Sequence, residues 1–161
     1  MNVGKLMRTD VVSCSPEHSL AAAAQIMWKH DCGCVPVVAD DNRVAGVITD
    51  RDICMAAYLT GRPLVEMRVR DSMSVKILTC RETDSIEKAE RTMQSAQVRR
   101  LPVTDGSGAL VGILSLNDIA LEAEREQRAP RPEISLTEVA QTLSAVCHRR
   151  ATLSTAVAPP S

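Results

Sequence analysis

The chain has 161 residues and a formal net charge of −1 at neutral pH, with 24% of its residues charged. Aromatic residues are almost absent, with one Trp, one Tyr and no Phe. Single-stranded nucleic acid is gripped by aromatic stacking over a basic groove, and neither is present, so nucleic acid is not an expected partner. No apolar run reaches the roughly 18 residues of a membrane span. The N-terminus lacks the basic-then-apolar pattern of a signal peptide. The six cysteines do not have the spacing of a disulfide framework, which points to a reducing, cytoplasmic setting.

In chain order, residues 1–8 form a short lead-in with Val3 and Met7 spaced for one helical face. Val11-Val12 reads as a short strand, ended by the turn Ser15-Pro16-Glu17-His18. Ser19 caps a helix whose inner face is Leu20, Ala23, Ala24 and Met27. Cys34 to Val38 and Arg43 to Ile48 make a hairpin turned at Asp40-Asp41-Asn42. Thr49 opens a helix to about Tyr58, stopped by Thr60-Gly61-Arg62-Pro63, and residues 60–68 act as a linker. Lys76 to Cys80 is the next strand. Asp84 is expected to cap a helix with Ile86, Ala89 and Met93 inward and Glu87, Lys88, Glu90 and Arg91 outward. A second hairpin joins Arg100–Thr104 to Ala109–Leu114, and a helix follows from Leu116 to Glu126. Arg128 to Pro132 breaks the chain. Ser135 and Glu138 resemble a capping box for a tail helix with a Leu136, Val139, Leu143, Val146 stripe, and residues 151–161 read as disordered.

One phrase occurs twice. Gly46-Val47-Ile48-Thr49-Asp50-Arg51-Asp52-Ile53 returns as Gly112-Ile113-Leu114-Ser115-Leu116-Asn117-Asp118-Ile119, an offset of 66 residues. The offset holds without a gap at Val3/Val69, Met7/Met73, Cys14/Cys80, Ser19/Ser85, Met27/Met93 and Pro36/Pro102. An ungapped repeat of this length is one supersecondary unit used twice, and two copies form a pseudo-twofold pair with a shared buried face. Each copy alone is too short to bury much core, so the pair is the expected folding unit.

These residues resemble the CBS domain. The resemblance rests on Val35-Pro36-Val37-Val38 with Gly46-Val47-Ile48-Thr49 and Asp52, and on Arg99-Arg100-Leu101-Pro102-Val103 with Gly112-Ile113-Leu114-Ser115 and Asp118; it covers residues 3 to 124. A tandem pair is a Bateman module. The resemblance implies an α+β fold of two αββα repeats in a pseudo-twofold CBS pair, here followed by a C-terminal helix. The expected units are 1–62, 63–126, and a tail of 127–161. It also implies binding of adenosyl compounds in clefts between the repeats, and association of CBS pairs into homodimers.

Thr49/Asp52 and Ser115/Asp118 each set a hydroxyl and a carboxylate three apart at a helix start. One reading is a capping box. The other uses the same geometry: a helix N-terminus with a hydroxyl is an anion site, and a carboxylate one turn in can accept two hydrogen bonds from vicinal ribose hydroxyls. The resemblance makes Thr49 and Ser115 phosphate-side contacts and Asp52 and Asp118 ribose-side contacts. It makes the positions Val11, Val12, Ser13, Ile77, Leu78 and Thr79, with Val35, Pro36, Leu101 and Pro102, the adenine side. Arg99-Arg100 stands where the first repeat has Gly33-Cys34. Paired guanidiniums suit phosphate, and a solvated surface pair is the alternative. The expected ligand is AMP, ADP, ATP or S-adenosylmethionine, read out by a protein effector that the sequence does not identify.

Cys14 and His18, with Cys147-His148 at the tail, carry zinc-type donors. They make either a zinc clip that fastens the tail helix to the first turn, within one chain or across a dimer, or ordinary residues, with Cys14 a small hydrophobe matching Cys80 and His18 a solvated turn residue. No nucleophile–base pair, H-E-x-x-H or Gly-rich phosphate loop is present, so an enzyme is not expected. Two functions stand: a regulatory adenosyl-ligand sensor, and a structural or stress-related interaction protein built on the zinc clip.

Overall fold

The computed structural model describes residues 1–128 and 130–148. The expected disorder of residues 151–161 lies outside the described residues. Ser19 caps α1 (Leu20–Lys29), its hydroxyl accepting the Ala22 N–H at 3.2 Å. Leu20, Ala23 and Met27 turn inward at the helical period. β1 (Cys34–Val38) pairs antiparallel with β2 (Val44–Thr49), in a register that sets Pro36 opposite Val47. α2 (Asp50–Thr60) follows without a loop and ends at Gly61, whose φ of +63° is a left-handed cap. The second repeat has the same plan: α3 (Ile86–Ala96), β4 (Arg100–Thr104), β5 (Leu110–Ser115) and α4 (Leu116–Glu126).

The expected first strands shrink. Between them only Cys80–Arg81 forms a strand, β3, parallel to β4; Cys14 makes a single parallel bridge to Val37. One side chain per segment reaches the core, Cys14 or Cys80, while Val11 to Ser13 are half-exposed and Val75 is 70% exposed. Burial that anchors one residue does not hold a ladder of five. At α3 the cap is Ser85, which accepts the Lys88 N–H, while the Asp84 carboxylate accepts the Arg81 N–H one turn earlier.

The lead-in segments dock crosswise. Val3 is fully buried among Cys80, Ile86, Leu101 and Leu114 of the second repeat, and Val69 and Met67 are buried among Cys14, Leu20, Val35 and Ile48 of the first. The supporting bonds repeat at the 66-residue offset: Asn2 bridges Ser85 as Arg68 bridges Ser19, and Arg8 bridges Ile113 as Ser74 bridges Val47. Arg43 bridges Ala109, its own equivalent, so the pseudo-twofold axis passes between them. Gly46 and Gly112 admit this packing. A Cβ on Gly112 would stand 2.6 Å from Met7 Sδ and 3.0 Å from the Arg8 carbonyl oxygen.

α5 (Leu136–Cys147) packs on α3 and α4. The expected stripe holds in part: Val139 is buried and Val146 half-buried, but Leu136 and Leu143 stay exposed. The centre of the interface is Thr142, fully buried. Gln94 Nε2 donates to its hydroxyl at 2.7 Å, and the hydroxyl lies 3.2 Å from Glu90 Oε1 as donor. Glu90 is therefore not the outward residue its helix pattern suggests. It is 4% exposed because α5 lies over it, and burial pushes its carboxyl up despite the Thr142 hydrogen bond.

Candidate functional site

Each β-hairpin delivers its last residue as the N-cap of the following helix. Thr49 caps α2: its hydroxyl accepts the Asp52 N–H at 3.2 Å, and Asp52 Oδ2 accepts the Thr49 N–H at 2.9 Å and the hydroxyl proton at 2.7 Å. Ser115 and Asp118 repeat this at α4. Both are complete capping boxes, so that reading of the pattern is realised in the fold.

The two boxes differ at the free carboxylate oxygen. Asp118 Oδ1 accepts Arg8 Nε at 3.0 Å. Asp52 Oδ1 has no hydrogen-bond partner among the described residues. Asp118 is buried and Asp52 half-buried.

A cavity of about 610 Å³ opens beside the second box, between the repeats. It joins Val11, Val12 and Pro36 of the first repeat to Arg100, Ser115 and Asp118 of the second, six of the residues the sequence singles out. Arg8, Asp10, His30, Asp31, Cys34 and Asn117 complete much of its wall. Sequence reasoning did not select these, although Arg8 has a sequence signal: it faces Ser74 at the repeat offset, an unequal pair. Burial pushes the Cys34 thiol up to about 11 against the opposing pull of Arg100, so it stays a neutral wall.

Other expected residues lie elsewhere. Val35 and Leu101 are fully buried and serve the two cores, because strand alternation aims them at the helices while Pro36 faces the cleft. Arg99 lines a neighbouring cavity of about 530 Å³ with Arg100, Gly33, Asp50 and Leu143. Thr79 is exposed on a separate shallow cavity with Arg81 and Asp84. Ser13, Leu78 and Pro102 line none of these cavities, and neither do Thr49 and Asp52.

The zinc donors do not assemble within one chain. No group of three or more His, Cys, Asp or Glu side chains is placed to hold a metal among the described residues. Cys14 is buried in the first core, with its thiol pushed up to about 11 by burial. His18 is exposed and its Nδ1 accepts the Ser15 N–H at 3.3 Å. Cys147 ends α5, which packs on the second repeat. Within one chain the three donors stand on separate elements.

Comparison with known proteins matches the CBS domain family model twice, over residues 3–58 and 69–124. The chain belongs to the CBS domain family, as a tandem pair. It is 34% identical over 128 residues to the CBS domain-containing protein YhcV of Bacillus subtilis, covering 80% of this chain and 89% of that one. The crystal structure of Hypoxic Response Protein I with two coordinated zinc ions is similar at a TM-score of 0.70 and 32% identity, over 75% of this chain and 98% of that one. The crystal structure of CBSX2 in complex with AMP, a protein of Arabidopsis thaliana, matches at a TM-score of 0.69 and 27% identity, over 79% of this chain and 98% of that one. The chain spans 61% of a Methanopyrus kandleri relative and 23% of a Methanosalsum zhilinae homoserine O-acetyltransferase, each 33% identical over 119 residues. Among the described residues, no helix is long and apolar enough to cross a membrane.

Proposed function

We propose that this CBS pair is a regulatory sensor of an adenine nucleotide or related adenosyl compound, and not a catalyst. The observation that carries it is the Ser115/Asp118 box opening on a cavity whose opposite wall is Val12 and Pro36 of the other repeat, with Arg100 at hand. Asp118 takes the ribose hydroxyls, the α4 N-terminus and Arg100 take phosphate, and the apolar wall takes the base. Ligand spanning both repeats biases their relative placement, and a protein effector reads that bias. The AMP bound to the structurally similar CBSX2 supports this ligand class. The free cysteines fit a reducing cytoplasm.

A second copy of the chain is the partner we assign to the α1–α2 face. α5 covers the equivalent α3–α4 face of the second repeat. On the first repeat the chain's only two aromatics, Trp28 and Tyr58, are 88% and 76% exposed, and Trp28 lines a groove of about 780 Å³ with Ala24, Ile53 and Cys54. A knob and a groove on one patch are self-complementary under a twofold. Trp28→Glu is expected to give a monomer in sedimentation velocity; an unchanged assembly refutes this face.

Calorimetric titration with AMP tests the sensor. Wild-type protein should bind, and Asp118→Ala should weaken binding at that cleft while the fold, checked by circular dichroism, persists. At about 100 times its dissociation constant a ligand adds roughly 2.7 kcal/mol of stability, which thermal unfolding detects. No binding by wild-type protein freed of co-purified ligand, or equal affinity in Asp118→Ala, refutes the reading.

A further inference from the structure

The two repeats carry near-identical boxes, so a difference in what faces each box is a difference in what it can select. Arg8 and Ser74 occupy equivalent positions at the 66-residue offset, and backbone bonds fix both. The Arg8 N–H donates to the Ile113 carbonyl at 2.9 Å and its carbonyl accepts the Ile113 N–H at 3.0 Å. Ser74 does the same with Val47, at 2.9 and 3.1 Å. The fold therefore sets a guanidinium on Asp118, and the equivalent backbone position in the first repeat carries Ser74.

We propose that Arg8 makes the Asp118 cleft selective for phosphorylated adenosyl ligands, a selectivity the Asp52 box lacks. This rests on the adenosyl-sensor reading above. Asp118 Oδ2 already accepts the Ser115 N–H and hydroxyl, and Oδ1 accepts Arg8 Nε. A vicinal diol that engages this carboxylate through both oxygens must take acceptor capacity that Arg8 now uses. The Arg8 side chain is 63% exposed and free to change rotamer, whereas Asp118 is held by its box. Arg8 yields, and its guanidinium is then free to pair with an anion. A ligand phosphate supplies one, shared with Arg100 across the same cavity. Asp10 and Asp31 also line the cavity, so phosphate is favoured only close to the two guanidiniums. An uncharged nucleoside breaks the Arg8–Asp118 pair and offers nothing in return. At Asp52, Oδ1 has no partner to displace among the described residues, so phosphate brings no such advantage.

The test compares AMP with adenosine by isothermal titration calorimetry on the full chain. Asp52→Ala leaves the Asp118 cleft, and Asp118→Ala leaves the Asp52 box. The Asp118 cleft should prefer AMP by roughly tenfold or more, the range of a hydrogen-bonded charge, and the Asp52 box by less. Adding Arg8→Ser to Asp52→Ala should lower the preference to that of the Asp52 box. Adding Ser74→Arg to Asp118→Ala should raise it, and keeps the proposal falsifiable if the Arg8 variant folds poorly. A preference unchanged by both exchanges overturns this inference alone. Wild-type protein that binds neither ligand overturns it together with the sensor reading.

Discussion

Gly112→Ala is the sharpest test of how the lead-in segment docks. The new Cβ would stand 2.6 Å from Met7 Sδ, 3.1 Å from Met7 Cγ and 3.0 Å from the Arg8 carbonyl oxygen. The thioether is flexible and can turn away. The carbonyl cannot, because it is held by the Ile113 N–H at 3.0 Å and the neighbouring turn is pinned by Val3, which is fully buried. One methyl forced into a packed contact costs about 1–3 kcal/mol. At roughly 2–4 °C per kcal/mol for a chain of this size, the melting temperature should fall by about 2–12 °C. Gly46→Ala meets Met73 Sδ at 2.7 Å and the Ser74 carbonyl oxygen at 3.0 Å, so the twofold predicts an equal loss there. Urea unfolding of both variants measures it. A change below about 0.5 kcal/mol, the scatter of an ordinary surface substitution, would refute the close approach of these strands.

Burial raises the Glu90 carboxyl in the folded state, so the folded chain holds that proton more tightly than the unfolded one. Stability from this group is therefore present below the unfolded carboxyl range and is lost as pH rises through the folded value. Glu90→Gln should flatten that fall in a pH series of melting temperatures; an unchanged profile would show that Glu90 is solvated. Cys14 and Cys80, buried with thiols near 11, should resist alkylation at pH 8 while the exposed Cys54 and Cys147 react, as peptide mass spectrometry would report. Fast labelling of Cys14 or Cys80 would contradict the cores. Val3→Ala removes two buried methylene equivalents from the second core, about 1.5–3 kcal/mol. Because Val69 anchors the first core in the same crosswise way, the loss should appear as one calorimetric transition at lower temperature. Two separated transitions would show that the repeats fold apart.

The repeat was the legible part of this chain. The 66-residue offset is an equality between residues, and it carries into space as paired bridges at Asn2/Arg68 and Arg8/Ser74. Capping chemistry was legible where a hydroxyl and a carboxylate three apart follow a strand, because they act within one turn; Ser135, which follows no strand, accepts the Thr137 N–H and forms no box with Glu138. What the sequence hid is tertiary. Lead-in segments read as neighbours of their own repeats, yet Val3 and Val69 fill the opposite cores, and nothing in a periodicity says which core an apolar side chain enters. Glu90 reads as solvated on its own helix and is buried only because α5 crosses it.

The same limit applies to the cleft. Residues that a repeat preserves are those both copies need to fold and to cap a helix, so Thr49/Asp52 and Ser115/Asp118 stand out together. Residues that distinguish the copies are visible in such a comparison, but what they do is silent until the fold shows what they face. Arg8 against Ser74 is one such pair, and Gln94 against Trp28 is another: Gln94 donates to Thr142 beneath α5, while Trp28 stands uncovered. The first difference falls at the Asp118 carboxylate, the second at the outer face of α1. A molecule built from two equal halves thus has its chemical choices concentrated where the halves depart from each other.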